Sequence, residues 1–368
     1  MPRLTLTLAC VVFLSACDRS EPAAECVPLA KAAGGSGLAE HVIHISVDGL
    51  RPDAVSAHID SLPAFRRLRT HGAWTSNART DASRRYTLPN HASQLTGRHV
   101  GGADGHGWTG NEDVKPYVTL HNTRGEYVAS AFDVVHDAGL RTAAYVSKSK
   151  FSLFDVTYNE LHGAPDANGA DNGPDKIDSF VFNGDTSLLV DQLLADFASD
   201  PAAYTFLHLR DPDAVGHGAT WDLTPGSPYL GAVMRVDRFV GRILNATQDE
   251  SRPGGLATVV LTSDHGGFGY DHHDERPENY TIGFYIWGAG VTSSDLYALN
   301  PNREDPGTAN VPREAPRPPI RNGDAANLVT SLLGLGTVPG STIGADSPLV
   351  SRPFVVAAEP GPSPCEGA

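Results

Sequence analysis

The chain has 368 residues, a formal net charge of −15 and a hydrophobic content of 40%. This length and hydrophobic content suffice for a large buried core, and a single α/β domain of this size is common. The negative charge argues against binding of a nucleic-acid duplex through a basic face.

The N-terminus has the layout of a secretion signal. Arg3 precedes an apolar stretch, residues 4–14, that is too short to span a bilayer, and small residues follow it. The segment Leu14-Ser15-Ala16-Cys17 resembles the bacterial lipoprotein cleavage box. That resemblance implies removal of residues 1–16 and acylation of Cys17, with an ordinary secretory signal as the alternative.

The expected location is the bacterial cell envelope. The lipid on Cys17 would hold the protein at a membrane facing the periplasm, and Asp18 resembles a signal for retention at the inner membrane. Residues 17–40 are small and polar, so we expect a flexible tether. Cys26 and Cys365 could form a disulfide in this oxidising compartment, which the sequence leaves open.

The rest of the chain alternates apolar strands with amphipathic helices. This pattern predicts an α/β fold with a mostly parallel central sheet and helices on both faces. We expect one catalytic domain over residues 41–357, with candidate lid insertions at 98–126 and 155–176, and a tail over 358–368. The predicted elements are, in chain order, a strand from His41, a helix opening at Arg51, a helix over 62–71, a helix entered at Pro89, a loop over 98–126, a helix over 128–138, a strand over 141–146, a helix over 185–197, a strand over 203–209, a helix over 229–246, strands over 257–262 and 282–287, a loop over 298–320 and a helix over 324–335.

One stretch, Ala257 to His273, combines a buried strand with candidate metal ligands. The apolar run is followed by a glycine-rich segment that holds Asp264, His265, His272 and His273. Carboxylates and imidazoles are ligands of divalent zinc. Open α/β sheets build their sites at the carboxyl ends of strands, which is where these residues lie.

Two further predicted strands end in residues of the same kind. Asp48 ends the first strand, and Asp213 and His217 follow the strand near residue 205. Because parallel strands place their carboxyl ends along one edge, these distant residues can converge with Asp264 and its neighbours. They divide into two trios of carboxylate and imidazole, which could hold two zinc-like ions that clamp an oxyanion and its nucleophile.

The candidate nucleophile is Thr87, just before a predicted helix. Backbone N–H groups at a helix N-terminus favour an anion, and a hydroxyl beside a metal loses its proton more readily. Ser83 is a competing hydroxyl, and Thr87 could instead only cap the helix. Nearby His91, His99 and His106 could line the cleft, but we expect each to be a solvated loop histidine.

These motifs together resemble the alkaline phosphatase superfamily, and specifically its type I phosphodiesterase/nucleotide pyrophosphatase branch. The resemblance covers about residues 41–350. It rests on Asp48-Gly49, on Thr87-Leu88-Pro89-Asn90-His91, on Pro212-Asp213-Ala214-Val215-Gly216-His217, and on Ser263-Asp264-His265-Gly266-Gly267 followed by His272.

The resemblance implies a role for each matching position. Thr87 would form a phospho-threonine intermediate, and Asn111 would donate to a phosphoryl oxygen. Of two adjacent histidines, the family spacing favours His272 as the ligand and leaves His273 as the alternative. One zinc ion would be held by Asp48, Thr87, Asp264 and His265, and the other by Asp213, His217 and His272.

Departures from related families narrow the activity. The chain lacks the motif that becomes formylglycine in sulfatases and the membrane helices of phosphoethanolamine transferases. A phosphomonoester carries an extra charge and usually needs an added cation, and none is evidently positioned near Thr87. We therefore expect hydrolysis of phosphodiesters or nucleotide pyrophosphate bonds, with an alkaline-type phosphomonoesterase as the alternative and a non-catalytic metal-binding lipoprotein as a third reading. The oligomeric state and the exact metals stay open.

Overall fold

The computed structural model describes residues 38–81, 83–167, 173–248 and 257–353. The predicted signal peptide, Cys17, almost all of the tether, Cys26, Cys365 and the tail lie outside these ranges, so what was expected of them stays a prediction. Within the described ranges, no helix has both the length and the apolar character that a bilayer span requires.

A single eight-stranded sheet forms the centre of the described chain. Its strands are β1 (His41–Val47), β2 (Ala73–Arg79), β3 (Thr142–Val146), β4 (Ser179–Phe182), β5 (Tyr204–Leu209), β6 (Ala257–Thr262), β7 (Thr281–Gly288) and β8 (Ser294–Asp295). They follow the order β4-β3-β5-β1-β6-β7-β2-β8. Pairing is parallel except where β7 meets β6 and β2. The prediction of a mostly parallel α/β fold is therefore confirmed.

Strands β2, β4 and β8 were not predicted, because the sequence of each has a weak strand pattern. Four of the seven residues of β2, whose sequence is AWTSNAR, are polar. None of the four residues of β4 is fully buried, because this strand forms one edge of the sheet. β8 has only two residues.

Helices cover both faces of the sheet and enclose two hydrophobic cores. One core takes apolar residues from the helices Thr87–Thr96, Ala131–His136 and Asp324–Leu332, and the other takes them from the helices Pro63–His71, Thr186–Ser199 and Pro228–Ala246. Strand β1 contributes apolar residues to both cores, because successive side chains of a strand point to opposite faces of the sheet. The helices are α1 (Pro52–Ala57), α2 (Pro63–His71), α3 (Thr87–Thr96), α4 (Leu120–Arg124), α5 (Ala131–His136), α6 (Ser152–Thr157), α7 (Thr186–Ser199), α8 (Asp211–Ala219), α9 (Pro228–Ala246), α10 (Pro277–Tyr280), α11 (Leu296–Leu299) and α12 (Asp324–Leu332).

Two local predictions need correction. The helix expected to begin at Pro89 begins at Thr87, because Tyr86 adopts the extended N-cap conformation and Pro89 lies inside the first turn. The loop expected over 98–126 contains α4, which starts at the capping box of Thr119 and Asn122. The first correction matters for function, since it places Thr87 on the first turn of a helix.

Candidate functional site

The carboxyl ends of β5, β1 and β6 lie side by side and carry the three predicted aspartates. β1 is the middle strand of this group, with β5 on one side and β6 on the other. Asp48 follows β1, Asp264 follows β6, and Asp213 lies in the first turn of α8 beyond β5. Gly49 makes this approach possible: its φ is +69°, and a Cβ atom there would lie 2.9 Å from Cα of Asp213.

The first candidate metal cluster consists of Asp48, Asp264 and His265, all fully buried. His265 Nε2 lies 3.6 Å from Asp48 Oδ1 and 3.2 Å from Asp264 Oδ2. These three atoms have no hydrogen-bond partner among the described residues. Leaving buried polar atoms unpaired costs about 1–3 kcal/mol each, and more for charged groups. A divalent cation would satisfy all three at once, so the donor set fits a metal ion.

The remaining atoms of the first cluster already have partners, which fixes the side chains. Asp264 Oδ1 accepts hydrogen bonds from the backbone N–H groups of Gly49 and His265. His265 Nδ1 donates to the Gly266 carbonyl at 2.8 Å, so Nε2 presents a lone pair. Orientation of a ligating imidazole by a backbone carbonyl is typical of metal sites.

The second cluster consists of Asp213, His217 and His272. Asp213 and His217 lie one helical turn apart on α8, and Asp213 Oδ1 is 3.4 Å from His217 Nε2 and 3.8 Å from His272 Nε2. Asp213 Oδ1 has no hydrogen-bond partner in the described part of the chain. Both imidazoles donate through Nδ1 to backbone carbonyls, His217 to Tyr270 and His272 to Arg85. His217 is partly exposed, so this side of the site opens to solvent.

His273 lies outside the second cluster. Its ring stacks on Tyr86 at a centroid distance of 4.4 Å, and its Nδ1 atom pairs with Asp271 at 3.0 Å. The side chain of His272 points instead toward Asp213. The geometry thus favours His272 over the alternative His273 as the ligand.

Thr87 and Asn111 meet at the start of α3. Thr87 is almost fully buried, and its carbonyl oxygen accepts a hydrogen bond from His91 Nδ1, which lies 3.7 Å from Asp264 Oδ2 of the first cluster. Asn111 Oδ1 accepts the N–H of Leu88, the residue after Thr87, at 3.0 Å. The predicted nucleophile, the predicted phosphoryl donor and the first cluster are therefore neighbours. Ser83 is exposed and donates to Asp81.

Lys148 joins the two clusters, and the sequence reasoning missed it. Its ammonium group lies 2.5 Å from Asp48 Oδ2 and 2.6 Å from Asp213 Oδ2. The other carboxylate oxygen of each residue, Oδ1, is the one that lacks a hydrogen-bond partner among the described residues. Its position in the sequence could have indicated a site residue, because Lys148 follows the buried strand β3, which pairs with β5 at the same sheet edge.

A second lysine lies close to the first. Lys150 Nζ donates to the carbonyl oxygen of Asn111 at 3.0 Å. Burial and the charge of Lys148 both lower the pKa of Lys150. Burial also opposes the charge on Lys148, but Asp48 and Asp213 outweigh it and raise the pKa of that lysine. The site thus contains an ammonium group that its two aspartate partners keep protonated, with the amine of Lys150 beside it.

The pKa values of the three buried carboxylates differ because the carboxylates share one close cation, Lys148. Burial works against the charged form of Asp48, but Lys148 and His208 hold the pKa of Asp48 well below its usual range. Asp264 lies further from the ammonium. Burial, followed by the charges of Asp48 and Asp213, raises its pKa well above the usual range. The site therefore has an excess of negative charge that a metal ion would neutralise.

Buried histidines support the site from beneath, where solvated loop histidines were expected. His91 is fully buried, and its Nε2 atom accepts from Ser46 Oγ at 2.8 Å. His208 on β5 lies 3.0 Å from Asp48 Oδ2 through Nε2 and 3.0 Å from Ser147 Oγ through Nδ1. Burial lowers the pKa of both imidazoles. His106 is also buried, and His99 pairs with Asp81. The expectation was wrong for His91, which lies on the inward face of α3, and for His106, which is buried although it lies in a loop.

A sequence model of one protein family, type I phosphodiesterase/nucleotide pyrophosphatase, matches residues 42–310. The chain belongs to this family. No curated protein sequence gives a significant match. The family segment contains both candidate clusters, Thr87, Asn111, Lys148 and Lys150.

Solved structures with this fold come from several enzyme classes of the alkaline phosphatase superfamily. One is murine ectonucleotide pyrophosphatase/phosphodiesterase 5, in an inactive threonine-to-alanine form with AMP. It is 14% identical to this chain, with a TM-score of 0.54. The match covers 82% of this chain and 96% of the murine one. A multiply substituted alkaline phosphatase PafA is 12% identical with a TM-score of 0.54 and covers 86% and 98%. The protein BT4656, in complex with D-glucosamine-2-N,6-O-disulfate, is 14% identical with a TM-score of 0.55 and covers 86% and 82%. These structural similarities show that this chain has the fold expected from its sequence.

Proposed function

We propose that the chain is a two-metal phosphate-ester hydrolase with Thr87 as its nucleophile. The observation that carries this proposal is the set of buried, unpaired ligand atoms beside Thr87, namely Asp48 Oδ1, Asp264 Oδ2 and His265 Nε2, matched by Asp213 Oδ1 in the second cluster. Membership of the phosphodiesterase family supports phosphate-ester hydrolysis. Zn²⁺ suits the nitrogen and oxygen donors best.

In this proposal one ion is held by Asp48, Thr87, Asp264 and His265, and the other by Asp213, His217 and His272. When bound, the ions supply Lewis-acid stabilisation of the charged phosphoryl oxygens. Thr87 Oγ1 attacks phosphorus as the alkoxide, the bond to the leaving oxygen breaks on the opposite side, and a phospho-threonine forms. The leaving group departs as an alkoxide that takes up the proton that Thr87 gave to solvent. Water then attacks the phosphorus of phospho-Thr87, and inorganic phosphate and the Thr87 hydroxyl are the products.

The residues around Thr87 orient the phosphoryl group. Leu88 N–H anchors the side-chain oxygen of Asn111. That bond leaves the Asn111 amide N–H groups available to a phosphoryl oxygen, which is the role that the family resemblance assigns. The helix α3 begins at this point, and the positive end of its dipole favours the anion. Positioning and charge stabilisation carry most of the catalysis in phosphoryl transfer.

The two lysines favour phosphomonoesters over the diesters expected from the sequence. Two divalent ions would balance the three cluster carboxylates and the Thr87 alkoxide, so Lys148 and Lys150 remain as uncompensated positive charge. That charge matches a phosphomonoester dianion better than a diester monoanion. The sequence favoured diesters because no positioned cation was evident. Lys148 is such a cation, so that reason no longer applies. Diester or nucleotide pyrophosphate hydrolysis is the second candidate, which the family match favours.

The test combines metal analysis with two model substrates. We expect about two metal ions per chain and loss of activity after chelation, restored by Zn²⁺. The value of kcat/KM should be higher for p-nitrophenyl phosphate than for bis-p-nitrophenyl phosphate. Brief reaction, acid quenching and peptide mass spectrometry should find phosphate on Thr87. A chain with full activity but no bound metal, or with phosphate on another residue, would contradict the mechanism.

The cellular location is proposed from the N-terminal sequence. Acylation of Cys17 would tether the catalytic domain to an envelope membrane, where it would act on nucleotide-like or other small phosphate esters of the periplasm. Membrane fractionation of a Cys17→Ser form tests this. The variant should move to the soluble fraction, and unchanged membrane association would refute the lipid anchor.

A further inference from the structure

Trp221 lies against both histidines of the second candidate metal cluster. It follows α8 by two residues and is 3% exposed. Its ring packs edge to face against the imidazole rings of His217 and His272, at centroid distances of 5.1 Å and 6.1 Å. Both imidazoles of the cluster therefore rest against one rigid side chain.

Two glycines make room for the indole ring of Trp221. A Cβ atom on Gly216, which belongs to α8, would lie 2.3 Å from this ring. A Cβ atom on Gly267, in the loop after β6, would lie 2.1 Å from it. Non-bonded carbon atoms pack at about 3.5–4.0 Å, so an alanine at either position would collide with the indole. The ring is thus enclosed between α8 and the loop that leads to His272.

Two hydrogen bonds fix the position of Trp221 further. Its backbone N–H donates to the carbonyl oxygen of Gly269 at 3.0 Å. Its indole N–H donates to the carbonyl oxygen of Gly49 at 2.9 Å. Gly49 in turn lies directly against Asp213, the carboxylate of the second cluster. Trp221 therefore joins helix α8, the loop after β6 and the end of β1.

The residue before Trp221 has a strained backbone. Thr220 has a φ of +66° and a ψ of 157°, and among the described residues it alone combines a side chain with a positive φ. This combination is essentially restricted to glycine, and another residue keeps it only where its surroundings impose it. The packing and the hydrogen bonds of Trp221 provide such surroundings, because they fix the next residue of the chain.

We propose that Trp221 is a positioning residue for the second metal site and that its packing imposes the strained conformation on Thr220. The indole ring holds His217 and His272 in the orientation in which their Nε2 atoms approach Asp213. Groups that orient metal ligands in this way raise the affinity of a site for its ion.

The first cluster does not depend on Trp221 in the same way. Its side chains are held by hydrogen bonds of their own, to backbone groups and to Lys148 and His208. Loss of the indole ring should therefore weaken binding of the second ion and spare the first. The inference rests on the proposed two-metal site, and this selectivity separates positioning from a general contribution to folding.

The first test measures the affinity of each site for Zn²⁺ in the full chain, by competition with a chelating dye. We expect two affinities, and the one that His272→Ala abolishes belongs to the second site. Trp221→Phe keeps an aromatic ring but is smaller and lacks the indole N–H. It should weaken the second-site affinity by about 10–100-fold and leave the other affinity unchanged.

Trp287→Phe is the matched control for this measurement. Trp287 is a buried tryptophan of the same hydrophobic core, but it lies on β7 and contacts Arg67. Its replacement should lower the urea midpoint of unfolding and leave both zinc affinities unchanged. Trp221→Phe should change the zinc affinity even when its urea midpoint is no lower than that of the control.

The second test examines the strain by urea unfolding of the metal-free chain. Thr220→Gly should raise the urea midpoint, because glycine adopts this backbone conformation readily. In a chain that carries Trp221→Leu, the same change should raise the midpoint much less, because Thr220 can relax once the indole ring is gone.

The outcomes separate this inference from the proposed function. Equal weakening of both zinc affinities by Trp221→Phe, or no weakening of either, would overturn the positioning role and leave the two-metal site standing. A parent chain that binds fewer than two zinc ions would contradict the proposed function and the positioning role with it. Equal gains from Thr220→Gly with and without the indole ring would show that Trp221 does not impose the strain.

Discussion

Replacing Lys148 with methionine tests whether the buried ammonium sets the substrate class. Methionine keeps the length of the side chain and removes its charge. The Lys148 side chain is 15% exposed. Two unit charges about 4 Å apart attract by roughly 4 kcal/mol at an effective dielectric constant of about 20. Allowing for residual solvent screening, we take about half, or roughly 2 kcal/mol for each substrate charge.

This magnitude predicts unequal losses for two substrates. A phosphomonoester dianion loses roughly 4 kcal/mol of transition-state stabilisation, and a diester monoanion loses roughly 2 kcal/mol. The value of kcat/KM should fall roughly 1,000-fold for p-nitrophenyl phosphate and about 30-fold for bis-p-nitrophenyl phosphate. The ratio of monoester to diester activity should therefore fall about 30-fold.

Metal content decides whether the loss is electrostatic. Lys148 contacts Oδ2 of Asp48 and of Asp213, whereas the unpaired candidate ligand atoms are Oδ1. The variant should therefore keep its metals at saturating Zn²⁺. Lys115→Met makes the same chemical change at an exposed loop position and should change neither rate. Equal loss for both substrates with full metal content would refute the assignment of substrate class to Lys148.

Three further changes probe the remaining parts of the site. Thr87→Ala should lower kcat by about 1,000-fold or more with metal content near normal. The control Ser83→Ala should leave kcat unchanged. A reversed pattern in steady-state assays would make Ser83 the nucleophile. His272→Ala should lower the metal content from about two ions toward one by elemental analysis, and His273→Ala should not; equal metal loss in both variants would contradict the ligand assignment. Burial and nearby carboxylates raise the pKa of Asp264, so in metal-free protein its contribution to stability is present at low pH and lost as pH rises through the folded-state pKa. Asp264→Asn should therefore stabilise the metal-free chain more at about pH 8 than at about pH 5 in denaturant unfolding, and a pH-independent difference would contradict the shift.

The sequence was most informative where an apolar run ends in a chemically distinctive residue. Asp48 directly follows a buried strand and Asp264 lies two residues after another, and the short apolar runs of those strands identified them. The expectation that their side chains converge needed only the rule that parallel strands align their carboxyl ends. The structure brings them together with His265. Local pattern and topology agree at these positions, which is why the prediction could be made.

Lys148 and His91 were not predictable in the same way. Lys148 begins the run Lys148-Ser149-Lys150, which has the composition of a solvated surface turn. Only the sheet order, which places β3 beside β5, turns that position toward Asp48 and Asp213. His91 lies on a helix face that packs against Ser46 of β1. A polar residue on a helix suggests exposure, and that inference fails where the facing strand is polar as well.

The distribution of charge resolves an apparent conflict between composition and substrate. A net charge of −15 repels an anionic substrate at a distance, but salt screens exposed charges beyond a Debye length of about 8–10 Å. Inside the site the near charges dominate, and the lysines Lys148 and Lys150 lie just beyond the end of β3. Composition therefore excludes an extended polyanion such as a nucleic-acid duplex, which would meet the acidic surface. A small phosphate ester meets the surface only briefly and then contacts these cations, so an acidic chain can act on it.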